Sequence, residues 1–359
     1  MSDCRKEAEE KMAKAIFISG DCWLCVFELL PAYQLGLRIS MISHRFDYYV
    51  DEHFKIRKWA LAFIGIGSKI GKNGTNKMKI GNSRCKSLPI PQVQLPRKVI
   101  GFRLINITFI DRNTIAFLRH FRQLFAACQI NLSINTYYND RISAFILHNI
   151  WPMIAKNIRG MFLFENVFHR LRKFVPSILN DCPSLRIVCF GFCDLFAEFP
   201  ADDNATASDG QAVAKWLFTP LQSNVPKIFK CWLNKDNANW SSNVEAIKAA
   251  FASTSSPANF IVNICFMSPF DDSVVPFDLT NELTHEQLAL KRINNSCRFL
   301  LIRCPIARDE SKWTKWEEEA IGLRICNQRN HIAFHIYDES KIGDGLLDTT
   351  PGPSDQQQK

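Results

Sequence analysis

The feature that most constrains this chain is an alternation that starts near residue 102 and runs almost to the end. Eight short runs rich in β-branched and aromatic residues lie at 102–109, 130–138, 161–165, 185–190, 227–233, 259–267, 298–304 and 331–337. Segments of helical periodicity separate them. Asp111 stands where a helix cap belongs before Ile115, Leu118, Phe121, Leu124 and Phe125, and Asp140 stands likewise before Ile142, Phe145, Ile146 and Ile150. Further helices are expected within 167–179, 211–218, 244–252, 282–291 and 312–323. Strands that alternate with helices call for parallel pairing through right-handed helical crossovers, which defines an α/β fold.

Two α/β architectures satisfy that pattern: an open doubly wound sheet, or a curved leucine-rich-repeat-like solenoid with helices on one face. The run Val175-Pro176-Ser177-Ile178-Leu179-Asn180-Asp181-Cys182-Pro183-Ser184-Leu185-Arg186 favours the second. It has the rhythm with which a long leucine-rich repeat ends its helix and starts the next strand. The strict consensus is missing, so residues 102–340 are read as a degenerate repeat, followed by a disordered tail at 341–359 that ends GPSDQQQK.

Charge is concentrated. The net charge is +9, yet residues 55–110 carry twelve Lys or Arg and no Asp or Glu, which leaves 32 basic against 35 acidic residues elsewhere. Residues 55–101 are read as a basic connector: a docking face for an acidic partner is one reading, a solvated connector is favoured because a charge run is ordinarily a solvated face, and the sparse aromatic residues weigh against stacking on a nucleic acid. Nucleic acid is therefore not the expected partner. Gly65-Ile66-Gly67-Ser68-Lys69-Ile70-Gly71 has some of the spacing of a phosphate loop, but Asn73-Gly74 and Lys77-Met78-Lys79-Ile80 follow instead of a helix. A β-hairpin with arms at 59–66 and 78–85 accounts for these glycines.

Candidate chemistry is thin. His285-Glu286-Gln287-Leu288-Ala289 lacks the second His of a zinc-protease helix. His331 and His335 fall four apart on an expected strand, about 13 Å from each other, too far to share a metal. Cys22-x-x-Cys25 has no companion pair, and Trp23 and Leu24 between the thiols point to a buried helix. Trp313 and Trp316 share a helix face and are expected to pack on the last strand. No metal, cofactor or catalytic residue is assigned, and a hydrolase or transferase reading would rest on architecture alone. The thirteen cysteines, scattered through apolar segments, read as thiols of a reducing compartment. With no apolar run near the ~20 residues of a membrane span, an intracellular location (cytoplasmic, nuclear or both) is expected.

After a lead at 1–17, residues 18–54 differ in kind. Asp21 is placed to cap a helix that Pro31 ends, Leu35 to Ile42 form a second short helix, and Ser43 is placed to cap a third. Three such short helices cannot bury all their apolar side chains against one another, so the module needs a neighbour or a partner. This segment resembles an F-box. Val26-Phe27 and Leu30 match the first helix of that pattern, Gln34-Leu35 its Asp-Leu step, and Ile42-Ser43-His44-Arg45-Phe46 its Val-Ser-x-Arg-Trp step. The leading Leu-Pro is absent, and Phe46 stands for the usual Trp.

Over residues 18–325 the chain resembles the large F-box protein families of plant-parasitic nematodes. Ile42-Ser43-x-Arg45-Phe46-Asp47, Val50-Asp51-x-His53-Phe54, Arg57-Lys58-Trp59, Ile150-Trp151-Pro152, Phe199-Pro200-Ala201-Asp202-Asp203-Asn204-Ala205, Ala214-Lys215-Trp216-Leu217 and Arg303-Cys304-Pro305-Ile306 carry the likeness. The resemblance implies a substrate-recognition subunit of an SCF (cullin-RING) ubiquitin ligase. Val26, Phe27, Leu30, Leu35, Ile39, Ile42, Ser43, Arg45 and Phe46 would contact the Skp adaptor, and the C-terminal region would recruit a protein substrate. The alternative is a ligase-independent α/β repeat scaffold for protein–protein interaction, whose F-box has decayed.

Overall fold

A computed structural model describes residues 18–68, 76–80, 88–90, 97–136, 139–191, 194–234, 240–267, 274–293, 296–324 and 328–348. The chain divides into two units, Met1–Ala62 with Pro96–Ile100, and Phe63–Leu95 with Gly101–Lys359.

The first unit is helical apart from residues 59–62 and 99–100, which begin two strands that continue into the second unit. Helix α1 (Gly20–Glu28) begins at Ser19, whose hydroxyl accepts the Cys22 N–H, so the cap is Ser19 and not Asp21, which lies inside the first turn. After Pro31 the chain runs through a helical turn at Ala32–Gln34, a π-turn at Leu35–Ile39 and a 3-10 turn at Ser40–Ile42. Ser43 then caps α2 (His44–Ile56) by accepting the Phe46 N–H. Phe27, Leu35 and Val50 form the buried centre of this unit.

The second unit is built on a mostly parallel sheet. In chain order the strands are β1 (Trp59–Ser68), β2 (Asn76–Ile80), β3 (Leu88–Pro89), β4 (Val99–Ile107), β5 (Ile130–Asn135), β6 (Ile158–Phe164) and β7 (Ile187–Gly191). They continue with β8 (Lys227–Leu233), β9 (Phe260–Phe266), β10 (Phe277–Asn281), β11 (Glu286–Arg292), β12 (Arg298–Pro305) and β13 (His331–His335). Their order across the sheet is β10-β11-β12-β9-β8-β7-β6-β5-β13-β4-β1-β2-β3. From β5 to β9 each strand lies beside its predecessor in parallel, and β13 enters between β4 and β5, parallel to both.

The intervening helices are α3 (Arg112–His120), α4 (Arg122–Ala127), α5 (Asp140–Asn149), α6 (Trp151–Ile154), α7 (Glu165–Phe174), α8 (Asp209–Phe218) and α9 (Trp240–Ser253). Asp111 caps α3 through the Thr114 N–H, as its position implied, but Asn139 and not Asp140 caps α5, through the Ile142 N–H. On α7, Phe168 packs on Phe190 of β7, which in turn meets Phe229 of β8. Neighbours Ile187 and Ile228, of opposite parity, join the other core face with Trp313 and Ala320 of α10 (Glu310–Ile321). So α7 and α10 cover opposite faces of the sheet.

Several expectations are corrected. Residues 282–291 were expected to be helical, yet they hold a turn and β11, and β10 precedes them. The β10, β11, β12 and β9 strands pair antiparallel, so the parallel arrangement stops at β9. Glu286, a charge that reads as an exposed helix position, is instead buried and paired with Arg303, seventeen residues on. Trp313 is buried against β6–β9 and β12 rather than on the last strand, with Trp316 edge-on to it at 5.4 Å. The expected disorder does not begin at 341, because Ile342 bridges to Ile110 and Asp344 accepts the Arg112 N–H at 2.9 Å. The rest of that tail, 349–359, lies outside the described residues, as does the lead 1–17. Of the hairpin expected in the basic segment, β1 and β2 pair antiparallel with Ile66 opposite Met78; residues 69–75 and the 81–85 part of the expected second arm lie outside the described residues.

Candidate partner-binding site

Helix α1 has two apolar stripes. Trp23, Leu24, Phe27 and Leu30 face inward and meet Phe46 and Val50, with the Trp23 and Phe46 rings edge to face at 4.8 Å. Cys22, Cys25, Val26 and Leu29, spaced i, i+3, i+4 and i+7, form a second stripe, and all four are exposed. Leu29 is 83% exposed and Met41, on the turn before α2, 80%. Helices that are apolar on both faces are ordinarily buried on both.

The nine residues assigned from sequence separate cleanly. Phe27 and Leu35 are buried, and Leu30, Ile39 and Phe46 pack against them, so these five fill the unit's own core. Ser43 is a helix cap. Arg45 donates to the Tyr49 hydroxyl and to the Ile18 carbonyl, each at 3.2 Å, and its guanidinium lies over the Tyr49 ring, tying the chain before α1 to α2. Val26 and Ile42 alone among the apolar ones project outward. Sequence reasoning left Leu29, Met41, Cys22 and Cys25 out of the partner-contact set. The i, i+3, i+4, i+7 spacing from Cys22 was the available signal, but it competes with the equally regular stripe from Trp23.

Cys22 and Cys25 are not buried, contrary to the expectation from Trp23 and Leu24; those two are half-buried and the thiols face outward. The Ser19 hydroxyl donates to Cys22 Sγ at 3.2 Å.

In the second unit a crevice of about 540 Å³ opens along α7 beside the first turns of α5 and α8, lined by Asp140, Glu165, Asn166, His169, Arg170, Lys173 and Asp209. Its charges are largely matched: Lys173 pairs with Asp140 at 3.3 Å, and Arg172 with Asp209 at 2.7 Å. Burial, helped by Asp209 and Asp194, raises the pKa of the Glu165 carboxyl. His285 sits in the turn before β11 with φ of 54°, away from any helix. His331, on β13, is buried beside the Ser133 hydroxyl. Among the described residues no cluster of His, Cys, Asp or Glu could hold a metal ion, and no helix is long and apolar enough to cross a membrane.

No family model matches this sequence, and no curated protein matches it. Among solved structures a chitinase from Chromobacterium violaceum aligns over 69% of this chain and 90% of its own, at 8% identity and a TM-score of 0.19, a likeness too low to bear on fold or function.

Proposed function

We propose that this chain is a substrate-recognition subunit of an SCF ubiquitin ligase, with its helical unit docking on the Skp adaptor and its sheet unit recruiting a protein substrate. The observation that carries this reading is the outward stripe of α1, Cys22, Cys25, Val26 and Leu29, together with exposed Met41 and Ile42. Covering a leucine or valine contributes roughly 1.5–3 kcal/mol, so a partner seated on this stripe gains several kcal/mol from two residues alone. The F-box-like pattern at Ile42-Ser43-His44-Arg45-Phe46 supplies the identity of that partner.

The sheet unit suits the recruiting role. We read β5 to β9 as degenerate leucine-rich-repeat-like units, a reading supported by strands that succeed one another in spatial order, with a helix after each of β5 to β8. Such a receptor does no chemistry; it raises the local concentration of substrate lysines near the ligase's charged ubiquitin conjugate.

The test is co-expression of the full chain with Skp and cullin, followed by affinity purification under reducing conditions. Wild-type protein is expected to retain both, and Val26→Asp and Ile42→Asp to lose both. If wild type shows no adaptor affinity at micromolar concentration, the ligase-independent scaffold takes its place, and the absent Leu-Pro, where Ser19 caps α1, is the reason.

A further inference from the structure

Cys22 and Cys25 stand apart from the other described cysteines. Cys182, Cys231, Cys265 and Cys304 are buried and Cys128, Cys189 and Cys297 half-buried, whereas these two are exposed. Burial pushes the Cys128 and Cys189 thiols up to about 11, which keeps them protonated and inert. One turn of helix separates Cys22 from Cys25, which sets their Cα atoms about 5 Å apart by the rise and radius of an α-helix. A disulfide accepts roughly 4.4–6.8 Å. Both lie in the first two turns of α1, where a local tightening disturbs few backbone hydrogen bonds, and the Ser19 hydroxyl is already held against Cys22 Sγ.

We propose that Cys22 and Cys25 form a reversible dithiol–disulfide site in the docking stripe of α1, with a small-molecule disulfide such as oxidised glutathione as the oxidant. The Cys22 thiolate attacks one sulfur of the oxidant, forming a mixed disulfide and expelling one glutathione thiolate. The Cys25 thiolate then attacks Cys22 Sγ, forming the Cys22–Cys25 bond and expelling the second glutathione. Two protein thiols are oxidised, one glutathione disulfide is reduced to two thiols, and the two protons end on the departing thiolates. That the bond also controls docking rests on the function proposed above: it pulls the flank of Val26 and Leu29 into a new shape and replaces two thiols of the contact stripe.

The experiment is titration of the full-length chain with oxidised glutathione, read by intact mass and peptide mapping. A product two hydrogens lighter, linked between positions 22 and 25 and reversed by dithiothreitol, is the expected result. Cys25→Ser is expected to stop at one glutathione on Cys22. Glutathione adducts without an internal link, a link from either thiol to another position, or no loss of thiols would each overturn the site. Adaptor capture is measured on the same samples, with at least about a tenfold loss expected on oxidation. If the reduced chain captures no adaptor while the 22–25 bond still forms, the docking reading fails and the redox site stands. If the linked and reduced chains capture adaptor equally, control of docking by this bond is overturned.

Discussion

Arg303 on β12 donates from Nε and Nη2 to a single carboxylate oxygen of Glu286 on β11, at 3.0 and 2.6 Å. Neither side chain is reachable by solvent to more than 2%. The remaining contacts complete the enclosure. Arg303 also donates to the Ser256 carbonyl, Glu286 accepts the Ala258 N–H, and the guanidinium lies between the rings of Phe218 and Phe251 at 5.1 and 5.3 Å. Burial lowers the pKa of Arg303 while Glu286 acts against that shift. One ion pair thus joins α8, α9, the loop before β9 and two antiparallel strands.

Removing one half of this pair strands the other. Glu286→Ala is expected to destabilise the sheet unit by roughly 3–5 kcal/mol, because the guanidinium then stays buried without its carboxylate. The double variant Arg303→Met with Glu286→Leu is expected to be closer to wild type than Glu286→Ala is. Urea unfolding of the three proteins checks this, and a double variant less stable than the single one would contradict it.

The same pair explains what the sequence left hidden. Strands β5, β8 and β9 were legible because nearly every residue in them is apolar or buried, the mark of a parallel strand covered on both faces. Residues 286–292 were not, since Glu286, Lys291 and Arg292 fit an exposed helix equally well and only Arg303 makes Glu286 an interior residue. The place of β13 between β4 and β5 was invisible for a related reason: its neighbours are about 200 residues away in the chain, and no local period encodes them. On α1 the periodicity identifies a helix, but two apolar stripes of equal quality leave the inward one undecided, so the expected partner contacts include Phe27 and Leu30 and omit Leu29.

His331 makes stability fall in acid. Burial, with His335 adding to it, pushes its pKa from 6.5 down to about 4. Between those values the unfolded chain holds a proton that the folded chain lacks, so this group's stabilising contribution is present above pH 6.5 and is lost as pH falls towards 4. The slope approaches, at most, about 1.4 kcal/mol per pH unit in that window. His331→Phe is expected to flatten the unfolding free energy against pH there, and an unchanged slope in the variant would rule the assignment out.

Lys227 acts in an alkaline window. Its amine is buried at the end of α8, donates to the carbonyls of Trp216 and Thr219, and lies 5.0 Å from the centre of the Trp216 ring. Burial pushes its pKa from 10.5 down to about 7. A neutral amine has two N–H groups for those two carbonyls. Between pH 7 and 10.5 the unfolded chain again carries the extra proton, so this group makes stability rise with pH. Lys227→Met is expected to remove that rise, measured as the change in urea midpoint between about pH 7 and pH 9. Equal changes in variant and wild type would show that the amine stays charged.

The two stripes of α1 predict opposite behaviour for two neighbours in sequence. Phe27 is 1% exposed at the centre of the helical unit, and Phe27→Ala is expected to cost about 3–5 kcal/mol through lost contacts and the cavity left behind. Leu29, two residues on, touches mostly solvent, so Leu29→Asp is expected to shift stability by about 0.5 kcal/mol or less. Adaptor capture is expected to reverse that order of informativeness. Loss of capture in Phe27→Ala has two causes, an unfolded unit or a missing contact, whereas loss in Leu29→Asp with an unchanged melting curve has one. A charge placed in an apolar contact must be desolvated without a partner, which is unfavourable by several kcal/mol. If Leu29→Asp melts as wild type does and still captures the adaptor at wild-type affinity, the outward stripe of α1 is not the docking face.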